Sequence, residues 1–144
     1  MIEVIVGDAL SHSKGIIVHG CNCQGVMGSG IARSIREQFP KVYEEYVNHH
    51  QNYGLQLGDI QVIKVGDDKY IVNAMTQHLY GSNRRFANYE AIAECFESIE
   101  SVRQTIDPKL PIVFPKIGAG LAKGDWKIIH RIIDATITVK KILY

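Results

Sequence analysis

The sequence predicts a three-layer α/β/α sandwich on a central mixed, mostly parallel sheet of about six strands. Three observations carry that expectation. Short β-branched runs recur along the chain, each of strand length and each bounded by Gly, Asp or Pro. Apolar stripes at helical spacing lie between them. The runs are mostly continuous rather than alternating, as in strands covered on both faces.

The first strand is read at Ile2-Glu3-Val4-Ile5-Val6 and the second at Ile16-Ile17-Val18-His19. Ile31, Ile35 and Phe39 follow at intervals of four. Pro40 interrupts them, and Val42, Tyr43, Tyr46 and Val47 resume, giving two consecutive helices. Two strands come next, Ile60 to Lys64 and Tyr70 to Ala74. The turn signal Val65-Gly66-Asp67-Asp68-Lys69 between them makes one pair antiparallel. From Asn88, Ile92, Phe96, Ile99 and Val102 form one stripe. A strand at Ile112 to Phe114, a helix carrying Trp126, Ile129, Ile132 and Ile133, and a strand at Val139 to Leu143 complete the order.

The 144 residues are one domain's worth, with no repeat or linker to divide residues 1–144. A hydrophobic share of 46% and a charged share of 22% suffice for a core. The net charge of +1 argues against a protein that coats nucleic acid non-specifically. Arg84 and Arg85, beside Tyr80, Phe86 and Tyr89, are a small basic footprint, so nucleic acid is not expected as a partner. Three cysteines, Cys21, Cys23 and Cys95, do not make a disulfide framework, and Cys21-Asn22-Cys23 lacks the spacing of a zinc knuckle. No metal or cofactor is expected. The start Met1-Ile2-Glu3-Val4 has neither the basic nor the apolar part of a signal peptide, and no apolar run is long enough to span a membrane. The expectation is a soluble cytoplasmic monomer in a reducing compartment.

The chemistry is concentrated in two glycine-rich loops. After the second strand comes Gly20-Cys21-Asn22-Cys23-Gln24-Gly25-Val26-Met27-Gly28-Ser29-Gly30-Ile31-Ala32, opening a helix near Ser29. Free N–H groups and the positive end of the helix dipole favour an anion there, pyrophosphate for example. The spacing is neither a Walker A loop nor G-x-G-x-x-G. After the fifth strand, Pro115-Lys116-Ile117-Gly118-Ala119-Gly120-Leu121-Ala122-Lys123-Gly124-Asp125 leads into another helix. Two such loops at strand carboxyl ends would wall a crevice. Asp8 could accept from an exocyclic amine, or serve only to turn the chain. His19, at the expected end of its strand, is a candidate acid or base, or a structural histidine. Asn22 could orient a sugar hydroxyl or shape a turn. Val26 and Met27, at the loop tip, either cover a ligand or pack.

These residues together resemble the macro domain, an ADP-ribose-binding module. The string His19-Gly20-Cys21-Asn22-Cys23-Gln24-Gly25 is similar to that of yeast-type ADP-ribose 1''-phosphate phosphatases and, more loosely, of terminal ADP-ribose protein glycohydrolases. The resemblance runs over essentially the whole chain. It implies a bound ADP-ribose with adenine at Asp8 and Ala9, near Tyr144. The diphosphate would lie on main-chain N–H groups of Gly28, Ser29, Gly30, Ile31 and Ala32 and of Gly118, Ala119, Gly120, Leu121 and Ala122. The distal ribose would lie near Asn22, with His19 as a catalytic residue. The glycohydrolase branch uses a lysine and an aspartate where this chain has Gln77 and Ala122, so that mechanism is not expected here. Asp125 reads as a helix cap or as a substitute carboxylate, with the cap favoured. The leading expectation is phosphate removal from ADP-ribose 1''-phosphate; a non-catalytic reader and a glycohydrolase are the alternatives.

Overall fold

The computed structural model describes residues 2–81, 83–120 and 122–144. The elements are β1 (Ile2–Val4), a 3-10 turn (Ala9–Ser11), β2 (Gly15–Cys21), α1 (Gly30–Gln38), α2 (Pro40–Tyr53), β3 (Ile60–Gly66) and β4 (Lys69–Met75). They continue as α3 (Tyr89–Ile106), β5 (Ile112–Phe114), α4 (Trp126–Thr136) and β6 (Lys141–Leu143). One six-stranded sheet runs in the order β1-β6-β5-β2-β4-β3. All neighbours are parallel except β3 and β4, as the Asp67-Asp68 turn requires.

Period-two alternation sorts the strand side chains into two cores. Ile16, Val18, Val72, Ile112 and Phe114 face α3 and α4, where Ile92, Phe96, Ile129 and Ile133 close one layer. Ile17, Ile71, Val113 and Ile142 face the other way, against Ile35 of α1 and Val42 of α2. The sheet is thus covered on both sides and forms the expected sandwich.

The break between α1 and α2 has a local cause. Proline cannot donate the N–H that a continuing helix needs, but its fixed φ suits a first helical position, and Pro40 opens α2. The starts of α3 and α4 are capped by side chains. Asn88 Oδ1 accepts from Ala91 N at 2.9 Å and Asp125 Oδ1 from Lys127 N at 2.9 Å. Asp125 is therefore a cap, as favoured from the sequence.

β2 differs from expectation in length. It continues through Gly20 and Cys21, because Gly20 and Cys21 pair with Ala74 and Met75 of β4. His19 is accordingly an interior strand residue, on the same face as Ile17.

A buried cation, not foreseen from the sequence, ties the ends of α3 and α4 together. Arg103 is 1% exposed. It donates to Glu100 Oε1 (2.7 Å), to Thr138 Oγ1 (3.1 Å) and to the Pro108 carbonyl. Burial pushes the Glu100 carboxyl up, but hydrogen bonds from Thr138 and Arg103 outweigh it and hold the group below its ordinary value. Arg103→Ala strands Glu100, Thr138 and the Pro108 carbonyl, so it should cost about 3 kcal/mol or more in chemical unfolding. A loss near zero would show that the cluster does not hold the helix ends.

Candidate functional site

The two glycine-rich loops lie on opposite sides of one cleft of about 690 Å³, at the carboxyl ends of β2 and β5. That volume is in the range of small-molecule sites. Ser29, Gly30, Ile31 and Ala32 line one side; Pro115, Lys116, Gly118 and Gly120 line the other. Their facing arrangement follows from topology: β2 and β5 are parallel neighbours, so both chains leave the sheet on the same edge.

The start of α1 is the cleft's main polar feature. Ser29 is the N-cap residue, yet its side chain makes no capping bond. The first amides of the helix have no carbonyl partner within it, so they are open to a ligand. Gly30 has φ +59, a left-handed conformation that favours glycine, and nothing approaches within 4 Å of where a Cβ would stand. Across the cleft, Gly118 has φ +73, and a Cβ there would lie 3.2 to 3.3 Å from Ile129, Ala87 and Ile92. The second loop is fastened at both ends, with Gly124 N donating to the Gly118 carbonyl at 2.6 Å and Phe86 N to the Ala122 carbonyl at 2.8 Å.

Asn22 lines the cleft but spends its side chain on the loop. Its Oδ1 accepts from Gln24 N (2.9 Å) and Val26 N (3.4 Å), and its Nδ2 donates to the Val26 carbonyl at 2.8 Å. The structure thus shows the turn-shaping role. Tyr46 of α2, fully buried, donates to the Asn22 carbonyl (2.7 Å) and lies 2.9 Å from its Oδ1. His50 of the same helix packs where a Cβ of Gly25 would stand, 2.7 Å from its Nδ1. Helix α2 is therefore the rest on which the first loop sits. Met27 and Val26 both line the cleft: Met27 is buried with Cys21, Tyr46 and Met75, whereas Val26 is 38% exposed.

His19 is placed differently from expectation. Its ring is fully buried on the α2 face of β2 and is not among the cleft-lining residues. Nε2 lies 2.5 Å from Asn73 Oδ1, its register partner on β4. Asn73 Nδ2 is directed to Gln61 Oε1 at 3.1 Å, which leaves Oδ1 as acceptor and Nε2 of His19 as the N–H donor. Burial lowers the imidazole to about 4, against the weaker opposing effect of the Asn73 bond. A neutral, enclosed ring does not reach a ligand, so the expected acid or base contact is absent from this geometry. Cys21, whose sulfur lies 3.5 Å from that Nε2, lines the cleft floor; burial pushes its thiol well up, which leaves it protonated.

Asp8, Ala9 and Tyr144 are not among the residues that line the cleft. The 3-10 turn after Asp8 packs Ala9 and Leu10 in the layer of Ile17, Ile35 and Ile142, and the Leu10 carbonyl accepts from Lys69 Nζ at 2.8 Å. Asp8 Oδ1 accepts from Leu10 N at 3.0 Å, capping the 3-10 turn that holds buried Ala9. The Tyr144 ring stands 3.5 Å from the Cβ position of Gly7, and its hydroxyl is 2.7 Å from His12 Nδ1. Gly28 lines the cleft, while Ala119 is half-buried behind the second loop and Leu121 lies outside the described residues. Gln77 and Ala122 both line the cleft, where neither supplies a charge. Phe86 and Tyr89 pack against the main core, with the guanidinium carbons of Arg84 and Arg85 each 4.5 Å above their rings. Those rings are thus engaged within the chain.

Sequence reasoning passed over Lys116 and Tyr80 as cleft residues. Lys116 was legible as a cation inside a glycine loop; Tyr80 stood out only as part of the small basic-aromatic footprint with Arg84 and Arg85. Among the described residues no group of three or more His, Cys, Asp or Glu could hold a metal ion, and no helix is long and apolar enough to cross a membrane.

A two-loop cleft at parallel strand ends, with an uncapped helix start on one wall, defines the class as an α/β module with a switch-point cleft. The chain belongs to the macro domain family, whose model matches residues 18–133. It is 33% identical to an uncharacterised 17.5 kDa protein of the tk-vs intergenic region of Enterobacteria phage T4, covering 93% of this chain and 88% of that one. It is 29% identical to an ADP-ribose 1''-phosphate phosphatase of Scheffersomyces stipitis (88% and 90% covered). A DNA ADP-ribosyl glycohydrolase of Mycobacterium tuberculosis is 25% identical, with 94% of this chain and 38% of that protein covered. Among solved structures, a macrodomain protein from Streptomyces coelicolor superposes with a TM-score of 0.84 at 25% identity, over 100% and 98% of the two chains. The macrodomain of Thermus aquaticus DarG gives 0.84 at 24% identity, over 100% and 97%.

Two predictions follow from the packing around the cleft. Tyr46→Phe removes the support of Asn22 and should lower stability by about 1 to 2 kcal/mol and weaken ligand binding in calorimetry. Unchanged binding would mean that the first loop holds its shape without α2. His19 titrates near 4 folded and near 6.5 when exposed, so the unfolded chain takes up the proton first. Stability is then full above about pH 6.5 and falls, by an amount on the order of 3 kcal/mol, as pH drops towards 4. Denaturant midpoints across that range should flatten in His19→Gln.

Proposed function

We propose that the cleft binds ADP-ribose and hydrolyses the terminal phosphate of ADP-ribose 1''-phosphate. The observation that carries the reading is the pairing of an uncapped α1 N-terminus with the Gly118–Gly120 loop across a single cleft. Main-chain N–H groups from both sides would hold the diphosphate, and the Asp8–Tyr144 end of the edge would take the adenine. The relatives named as phosphatases support the reaction class.

In the reaction, water oxygen bonds to phosphorus as the bond from phosphorus to the ribose C1'' oxygen breaks. A proton from water passes to the leaving ribose oxygen, directly or by way of a phosphoryl oxygen, giving inorganic phosphate and ADP-ribose. The protein's contribution is positional and electrostatic: preorganised N–H donors stabilise the charge that develops on the phosphoryl oxygens. Asn22 acts by shaping the first loop. His19 acts through strand β2, as a positioning residue.

A second reading is a reader that binds ADP-ribose without chemistry. It is favoured by one observation, the enclosure of His19 away from the cleft. Glycohydrolysis is the weakest of the three, since Gln77 and Ala122 provide neither an amine nor a base.

Calorimetric titration with ADP-ribose should give saturable one-to-one binding, and the absence of heat would overturn the binding assignment. Single-turnover release of inorganic phosphate from ADP-ribose 1''-phosphate separates the first two readings. Tight binding with phosphate release at background would leave the reader.

A further inference from the structure

Lys116 is the sole charged side chain among the described residues that line the cleft. It is exposed, and it stands in the second loop between Pro115 and Ile117. Among the described residues no carboxylate lies within ion-pair distance of its ammonium, and the close ion pairs there involve Arg33, Arg103, Lys140 and Lys141. An unpaired lysine on open surface signifies little. This one borders a concave, partly apolar space that holds no carboxylate and faces the positive end of α1. The one full charge among the described lining residues and the helix start across from it are both positive, so the space attracts anions.

The geometry points to Lys116 as the side-chain counter-charge for a phosphate group of the ligand, resting on the reading that the cleft takes ADP-ribose or its phosphorylated form. Main-chain amides bind by direction and short range. An ammonium on a flexible stem adds a full charge that follows the anion, and it needs no fixed geometry. The lysine would thus supply the charge neutralisation that Gln77 and Ala122, both neutral, do not. Two phosphate sources share this chemistry, the diphosphate and the terminal 1''-phosphate.

The test measures Lys116→Met and Lys116→Arg against the wild type, by calorimetry at low and raised salt, with adenosine, ADP-ribose and ADP-ribose 1''-phosphate. Lys116→Met should bind the phosphate-bearing ligand about tenfold or more weakly and with a shallower salt dependence. Lys116→Arg should retain most of the affinity. Equal losses for ADP-ribose and its 1''-phosphate place the charge on the diphosphate; a loss confined to the latter places it on the terminal phosphate. Undiminished binding of both by Lys116→Met would overturn the inference, as would a matching loss with uncharged adenosine. Should the wild type bind none of the phosphate ligands, the parent reading fails instead. The side chain is exposed, so folding of the variants is not at issue.

Discussion

The parallel pairing of β2 with β5 on one side and β4 on the other is the constraint from which the cleft follows. Parallel strands finish on a common edge, and each must then send its chain away through a crossover connection. The loop after β2 leads to α1 on one face of the sheet, and the loop after β5 leads to α4 on the opposite face. Diverging to opposite faces, the two loops leave a gap between them above the strand ends. Neighbouring strands in any other order would fill or displace it. Binding at this switch point is therefore a consequence of strand order before any particular side chain is considered.

The helix starts show where that gap is left open. α3 and α4 satisfy their first amides with Asn88 and Asp125, and α2 begins with proline, which has one amide fewer to satisfy. α1 begins at Ser29 and Gly30 without a side-chain cap. A capping oxygen at Ser29 would stabilise the helix by about 1 kcal/mol, yet it would occupy the donors an anion needs. Forgoing it leaves a shorter and less firmly held helix start with unused donors directed at the cleft. The rigidity missing there comes from α2, where Tyr46 and His50 brace Asn22 and Gly25 from behind.

Much of this was legible in the sequence, and the exceptions share a cause. Strand and helix identity followed from periodicity, and Pro40, Asn88 and Asp125 marked helix starts by local chemistry alone. The end of β2 did not, because Gly20-Cys21 reads as loop; only pairing with Ala74 and Met75 keeps it extended. That two-residue error moves His19 from the rim to the interior, since alternation puts it on the face of Ile17. The brace from Tyr46 was equally invisible, as a tyrosine on an apolar stripe reads as core and its hydroxyl partner lies 24 residues away. Lys116 was in view as a residue but not as a cleft charge, because a loop lysine is ordinarily solvated.

The electrostatic character of the cleft bears on what chemistry it favours. Cleaving an ADP-ribosyl bond needs a group that activates water or stabilises a leaving nucleophile, and this lining has an amide at Gln77 and a methyl at Ala122. Displacement at phosphorus asks for less covalent participation, since the charge is spread over equatorial oxygens and is stabilised by donors fixed in place. A cleft whose described lining offers open amides, one ammonium and no carboxylate matches the second demand better than the first. On the proposed phosphatase reading its weakness is the proton: with His19 enclosed and Cys21 held as a thiol, transfer to the leaving ribose oxygen would fall to water or to the phosphate itself. Such a site binds its anion more readily than it turns it over, which makes the phosphatase and reader readings neighbours on a single scale of rate.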